Sequence, residues 1–488
     1  MTRPAVRLGA ATGVVVVLLL VAAAVRPAPA PAPGGATTLP VTDTTLVCGT
    51  VPAATGSSVS VAAGAAGPTT SAADTISIRR LGQPLSAKPL AVTTGGASLL
   101  SVVVPPTAPG PLVVHATGSL ARGLSAMVWA LGTTGAATGL AALPCTPLSN
   151  DSWFVGGGAG IGRTSALVLS NPSSAPSIVD LTVYGAKGAS TPSVGQGITV
   201  AAGKQVAVVM DTLVPGEPAT AVEVRSRSGR VSAILTDNQV SGLNPGGNDA
   251  VAPSAPPATS VVVPGIAGDT DARRALSLVV PGSDNAVVRV RVSTAQGLLS
   301  PADLSSIEVP AGQLVTVDLA RLGPIGPYSL VIDSDQPLVA GVRSLRSAPR
   351  VNPDFAYATG SLPLTAAVVL PSALNGRSLA TTVLLTATGD TDRTVTLTTQ
   401  SGAGPVSTVS VTITAGTTVA VPVGGLVKQP IAVTITPQGS GGNLYGAWVV
   451  SGVNSTGRLL AGLPLTGTPA TETLPGVLQD PAVGLPGH

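Results

Sequence analysis

The chain has 488 residues, of which 44% are hydrophobic, 10% charged and 2% aromatic, with 59 Gly and 45 Pro. Its 25 basic and 22 acidic residues leave a formal charge of +3, too even for the concentrated basic face with stacking aromatics that nucleic-acid binding requires. The mean hydropathy of +0.48 comes from Ala and Val in many short segments, and after residue 25 no apolar run reaches the ~18 residues of a spanning helix, which argues against a bundle of membrane-spanning helices.

The N-terminus carries the first clear signal. Arg3 and Arg7 precede an apolar run over residues 8–25, and Ala22, Ala23 and Ala24 offer a small-residue cleavage site. Residues 1–25 are therefore a signal peptide or a signal anchor, and the chain is expected to be extracytoplasmic. It is either secreted after cleavage or held at the membrane by the uncleaved helix. The Pro-Ala run of residues 26–35 favours extended polyproline II, a semi-rigid stalk. With the Thr-rich residues that follow, it makes a linker over 26–45.

From there the chain repeats. Gly49, Gly156, Pro264, Pro371 and Pro475 sit in equivalent opening strands about 107 residues apart, the mark of duplicated units. A strand, a turn ending in Gly and a second strand recur around Gly95, Gly203, Gly312 and Gly416, and a late strand pair recurs at 222–224/231–235, 330–332/338–342 and 431–435/444–450. The clearest copy runs from Trp153 to Leu235. In it Ile178, Asp180, Thr182 and Tyr184 alternate with Val179, Leu181 and Val183, the period of two of a half-buried strand. Roughly seven short strands per ~100 residues, broken by Gly, Pro, Asn and Ser, predict an immunoglobulin-like sandwich.

The expected architecture is all-β: four tandem immunoglobulin-like β-sandwiches at 46–150, 151–257, 258–364 and 365–466, then an extra strand and tail at 467–488. Pro-rich joints such as 252–259 predict boundaries that few contacts cross. The alternative is a closed, propeller-like ring sealed by the last strand.

Cys48 and Cys145 are the only cysteines, and in an exported chain an even count predicts a disulfide, here across the first sandwich. Little else suggests chemistry. There are two histidines, His115 and His488, and no GxSxG elbow, HExxH or P-loop, so no catalytic residue, cofactor site or metal site is assigned and no enzyme is expected. The acidic turns at 268–271 and 389–392 suit turn-forming Asp better than calcium ligands. Ligand contacts are sought instead at Trp153 and Phe154, adjacent residues pointing to opposite strand faces, and at Arg225 and Arg227, which share one face.

The run SNDSWFVGGGAGIGRTSALVLSNPSSAPSIVDLTVYG, followed by NQVSGLNPGGNDAVAPSAPPATSVVVPG, resembles a family of actinobacterial exported proteins of unknown function. The resemblance implies a cell-envelope location and supplies no catalytic residue. The expectation is a non-enzymatic envelope scaffold or protein-interaction surface outside the membrane. A cell-wall carbohydrate-binding protein is the alternative. Partners are accordingly envelope proteins or wall polysaccharide, with membrane contact through an uncleaved N-terminal segment and no nucleic acid.

Overall fold

Alternation sets the faces of the strands. In Ser177–Gly185, Val179, Leu181 and Val183 are fully buried while Ile178 and Asp180 face outward, as a pleated strand with one wet face requires. The computed structural model describes residues 37–50, 58–67, 71–84, 86–93, 97–105, 110–323, 325–374, 378–401, 404–423, 431–439 and 443–474. The export segment, the Pro-Ala run, the Gly95 turn, Pro475 and His488 lie outside them. Among the described residues no helix is long and apolar enough to cross a membrane. Residues 41–470 form one unit; the antiparallel pair Thr37–Pro40 and Thr471–Leu474 belongs to another.

The larger unit is built almost wholly of antiparallel strands, and one strand order recurs along it. In the first sandwich one sheet runs Asp43–Cys48, Leu112–Thr117, Ile76–Arg80, Ala91–Val92. The facing sheet runs Leu99–Val104, Val59–Ala65, Leu124–Gly132, Gly139–Pro144, and the two share a core that includes Leu46, Ile76, Val114, Val61 and Leu143. The same order recurs with Asp151–Val155 as first strand and Asn244–Val251 as last, and again with Val368–Ala373 and Gly457–Pro464. The turns at Gly203, Gly312 and Gly416 have φ of 66°, 71° and 74°, the left-handed conformation for which glycine was expected there.

The third sandwich differs. The segments 330–332 and 338–342, read as two strands, are parts of one 21-residue strand, Tyr328–Ala348. Its first half pairs with Ala258–Ile266 and Ala286–Thr294, its second with Ala272–Val279 and Val351–Thr359. Polar residues between the halves, Asp335 exposed and Asp333, Ser334 and Gln336 half-buried, carry the strand from one sheet to the other without breaking it.

The sandwiches do not hang as beads on a string. The last strand of each, Gly139–Pro144, Asn244–Val251, Val351–Thr359 and Gly457–Pro464, packs against the last strands of its two neighbours, and the fourth meets the first. These axial strands form a closed ring, and one core passes from the fourth sandwich into the first, joining Trp448 and Leu463 to Met127 and Leu140. The Pro-rich joints are stitched in: Ala252 is buried, the Ser254 N–H donates to the Trp153 carbonyl at 2.7 Å, and the Ala255 N–H donates to the Gly360 carbonyl at 2.7 Å. Proline here fixes an extended path across an interface.

Residues 465–470 complete the circuit. The Leu465 N–H donates to Gly446 in the fourth sandwich, whereas Thr468 exchanges backbone bonds with Gly123 and Leu124 in the first, and the Thr468 hydroxyl accepts from the Leu124 N–H at 2.8 Å.

Candidate functional site on the ring axis

Each axial strand has one neighbour in its own sheet, which leaves N–H groups turned towards the axis without a ladder partner. Buried N–H groups of this kind need acceptors. Two carboxylates supply them. Asp354, fully buried in the third axial strand, accepts from Leu140 (2.9 Å) and Leu460 (3.0 Å) at Oδ2 and from Asn248 (3.2 Å) and its own neighbour Phe355 (3.1 Å) at Oδ1. One side chain thus ties three other sandwiches to the third. Gly139 makes room for it, since a Cβ there would lie 2.6 Å from Asp354 Oδ1. Asp249, in the second axial strand, accepts from Ala142 and Tyr357, each at 3.3 Å.

Burial pushes the Asp354 carboxyl up to about 8, against the pull of its N–H donors. Burial likewise raises Asp249 well above the usual range, and the charge of Asp354 adds to it.

Two ion networks flank this hub. Arg163 reaches Asp237 at 2.7 Å, and Asp237 also accepts from Ser165 (2.6 Å) and the Tyr357 hydroxyl (2.6 Å), locking the second sandwich to the third axial strand. Burial opposes the Arg163 charge, yet Tyr357 and Asp237 outweigh it and hold the pKa above the ordinary arginine value. On the other side, Arg346 pairs with Asp269 (3.3 Å) and Asp271 (3.0 Å), and Arg458 of the fourth sandwich pairs with Asp271 at 2.8 Å. The acidic turn at 268–271 therefore faces two arginines. Among the described residues no three His, Cys, Asp or Glu side chains gather as a metal ion would need.

Where the axial strands end, the axis opens into a cavity of about 420 Å³. All four sandwiches and the returning segment contribute wall, with Leu124, Met127, Trp153, Trp448 and Leu463 among the lining residues and Leu362 at the rim.

The residues singled out from the sequence fall in different places. Cys48 and Cys145 form a disulfide, and Cys145 also lines the cavity. Trp153 and Phe154 do point to opposite faces, but neither presents its ring to solvent: Phe154 is in the second core, and Trp153 packs on Tyr184 with ring centroids 5.5 Å apart while lining the cavity. Arg225 and Arg227 are exposed on one strand, and both are paired, Arg225 with Glu223 at 2.6 Å and Arg227 with Asp180. His115 Nε2 meets Asp43 at 2.8 Å, and the nearby Ser77 hydroxyl donates to the His115 main-chain carbonyl rather than to the imidazole. The sequence reading missed Asp249 and Asp354 as axial residues. The available signal was an acidic residue inside a strand within two positions of Pro or Gly, as in NPDF and GGND.

Strand order and axis together define an all-β protein of repeated two-sheet sandwiches. The chain belongs to the family of unknown function DUF5719, whose model matches residues 97–424. Among solved structures it is similar to the crystal structure of Thermotoga maritima 1070, at 16% identity over 22% of this chain and 94% of that one, with a TM-score of 0.20. No curated protein matches the chain.

Proposed function

We propose that this is a non-enzymatic, exported protein of the actinobacterial cell envelope that acts as a rigid scaffold or interaction body outside the membrane. The observation that carries the reading is the closed ring, in which the buried acidic residues Asp237, Asp249 and Asp354 are spent on joining sandwiches. Such a body holds its surface loops in fixed relation, which suits the display of contacts to protein partners. The Cys48–Cys145 disulfide supports an oxidising, extracytoplasmic compartment, where such bonds persist. A wall-glycan reading has less support, because Trp153 and Phe154 are buried and a sugar would lack the exposed ring it stacks on.

The test is co-sedimentation of the purified protein with cell-wall sacculi before and after protease stripping, paired with crosslinking on intact cells. Binding that disappears on stripped wall, with a crosslinked protein partner, is the expected result. Binding that persists on stripped wall would favour glycan recognition. A thiol-labelling experiment on intact cells, finding both cysteines free, would overturn the assigned compartment.

A further inference from the structure

The axial cavity exists only because the ring closes, since its wall draws on every sandwich and on residues 465–469. Its volume of about 420 Å³ lies within the roughly 300–1,000 Å³ of small-molecule sites and well above the ~150 Å³ of an apolar void that takes up benzene. The wall decides what can enter. Met127, Val369 and the indoles of Trp153 and Trp448 make most of it apolar, and hydroxyls such as those of Ser254 and Thr466 are scattered among them. Among the described residues no Lys, Arg or His lines it. The one charged lining residue among those described is Asp151, whose side chain is 45% exposed and stands 3.9 Å from the Arg225 guanidinium. An anion entering this space would lose its hydration and find no counter-charge, and a cation would have to compete with Arg225 for Asp151.

We propose that the cavity binds an uncharged, mainly apolar small molecule, seated against Trp153 and Trp448 and held by a single hydroxyl or amide group at the wall. This goes beyond the scaffold reading and does not depend on it.

The test is titration of the full chain with N-phenyl-1-naphthylamine, a neutral apolar fluorophore, read by its emission and by quenching of tryptophan, since two of the three tryptophans are wall residues. Saturable binding at one site is expected. Leu362 is 64% exposed, so Leu362→Glu leaves the fold intact, and the charge it sets at the rim weakens binding by about tenfold or more. Ala252→Phe, which projects a ring from the wall, is expected to act in the same direction. In competition, 1-dodecanol displaces the probe while dodecanoate requires at least ~10-fold more. Absence of saturation, affinity unchanged in both variants, or dodecanoate competing as well as dodecanol overturns the proposal. The readout involves no cell wall, so a failure here leaves the scaffold reading standing, and a failure to sediment or crosslink leaves this one standing.

Discussion

The two stretches of the ring axis solve the same packing problem in opposite ways. Along the axial strands the space between sandwiches is filled by Asp354 and Asp249, fully buried and bonded to backbone N–H groups of neighbouring sandwiches. At the strand ends the same axis widens between Trp153, Met127 and Trp448, and among the described residues Asp151 is the one carboxylate in its wall. The difference teaches where energy and function sit. Directional bonds make the closely packed stretch intolerant of change. A mainly apolar wall with open space between its side chains can accept a guest.

Substitution should break the hub hardest. Asp354→Ala strands the N–H groups of Leu140, Asn248 and Leu460, and at roughly 1–3 kcal/mol for each unpaired buried donor the loss is about 3–9 kcal/mol, measured by urea unfolding. A cost below ~1 kcal/mol would mean the hub does not hold the sandwiches together. Arg163→Met comes next, because it leaves Asp237 buried without its cation, at about 3–5 kcal/mol. The third break is outside the axis: joining cysteines 97 positions apart in the chain, the Cys48–Cys145 bond contributes about 2–5 kcal/mol, so the double Cys→Ala variant unfolds at lower denaturant, and no difference in midpoint from the parent would contradict this.

Proton linkage gives a finer probe of the hub. Asp354 holds its proton up to about pH 8 in the folded chain but only to ~3.9 when unfolded, so the native state binds more protons between those values. Stability then falls as pH rises through that window, and Asp249, shifted the same way, adds to the slope. The urea midpoint should therefore be lower at pH 8 than at pH 5, with a smaller difference in Asp354→Asn. A midpoint that rises with pH in the parent and is unaltered in the variant would refute the linkage. The smallest effects belong to the surface. Leu362→Glu at the cavity rim and Arg227→Ala in its exposed ion pair should each stay within ~0.5 kcal/mol in thermal unfolding, so that only the former changes ligand affinity.

Local order was legible in the sequence because its causes are local. Alternation around Val179, Leu181 and Val183 marks the buried face of one strand, and Gly203, Gly312 and Gly416 mark turns that need positive φ. Repetition at a fixed step identified equivalent strands. Closure of the ring has no such trace. The partners of Asp354 in the other sandwiches are backbone N–H groups, which every residue but proline carries, and they lie 106 to 214 positions away in chain order. Trp153 shows the same limit from the other side. Its strand and facing direction could be read, but burial depends on Tyr184 and on what the neighbouring sandwiches place over it.

The Thr468 contact with Leu124 joins positions 344 apart. Synthesis runs from the N-terminus, so the first sandwich is made early and then waits, its seam unsealed, until residue 468 has emerged. Such long-range closure is slow to form. A chain stalled or clipped before the fourth sandwich is made lacks Trp448 and Leu463, and so leaves Met127 and Leu140 of the first without the apolar residues they pack against, an edge open to a second copy. Completion of the ring is thus a checkpoint on length: only a chain that has delivered its late segment hides its own adhesive edge.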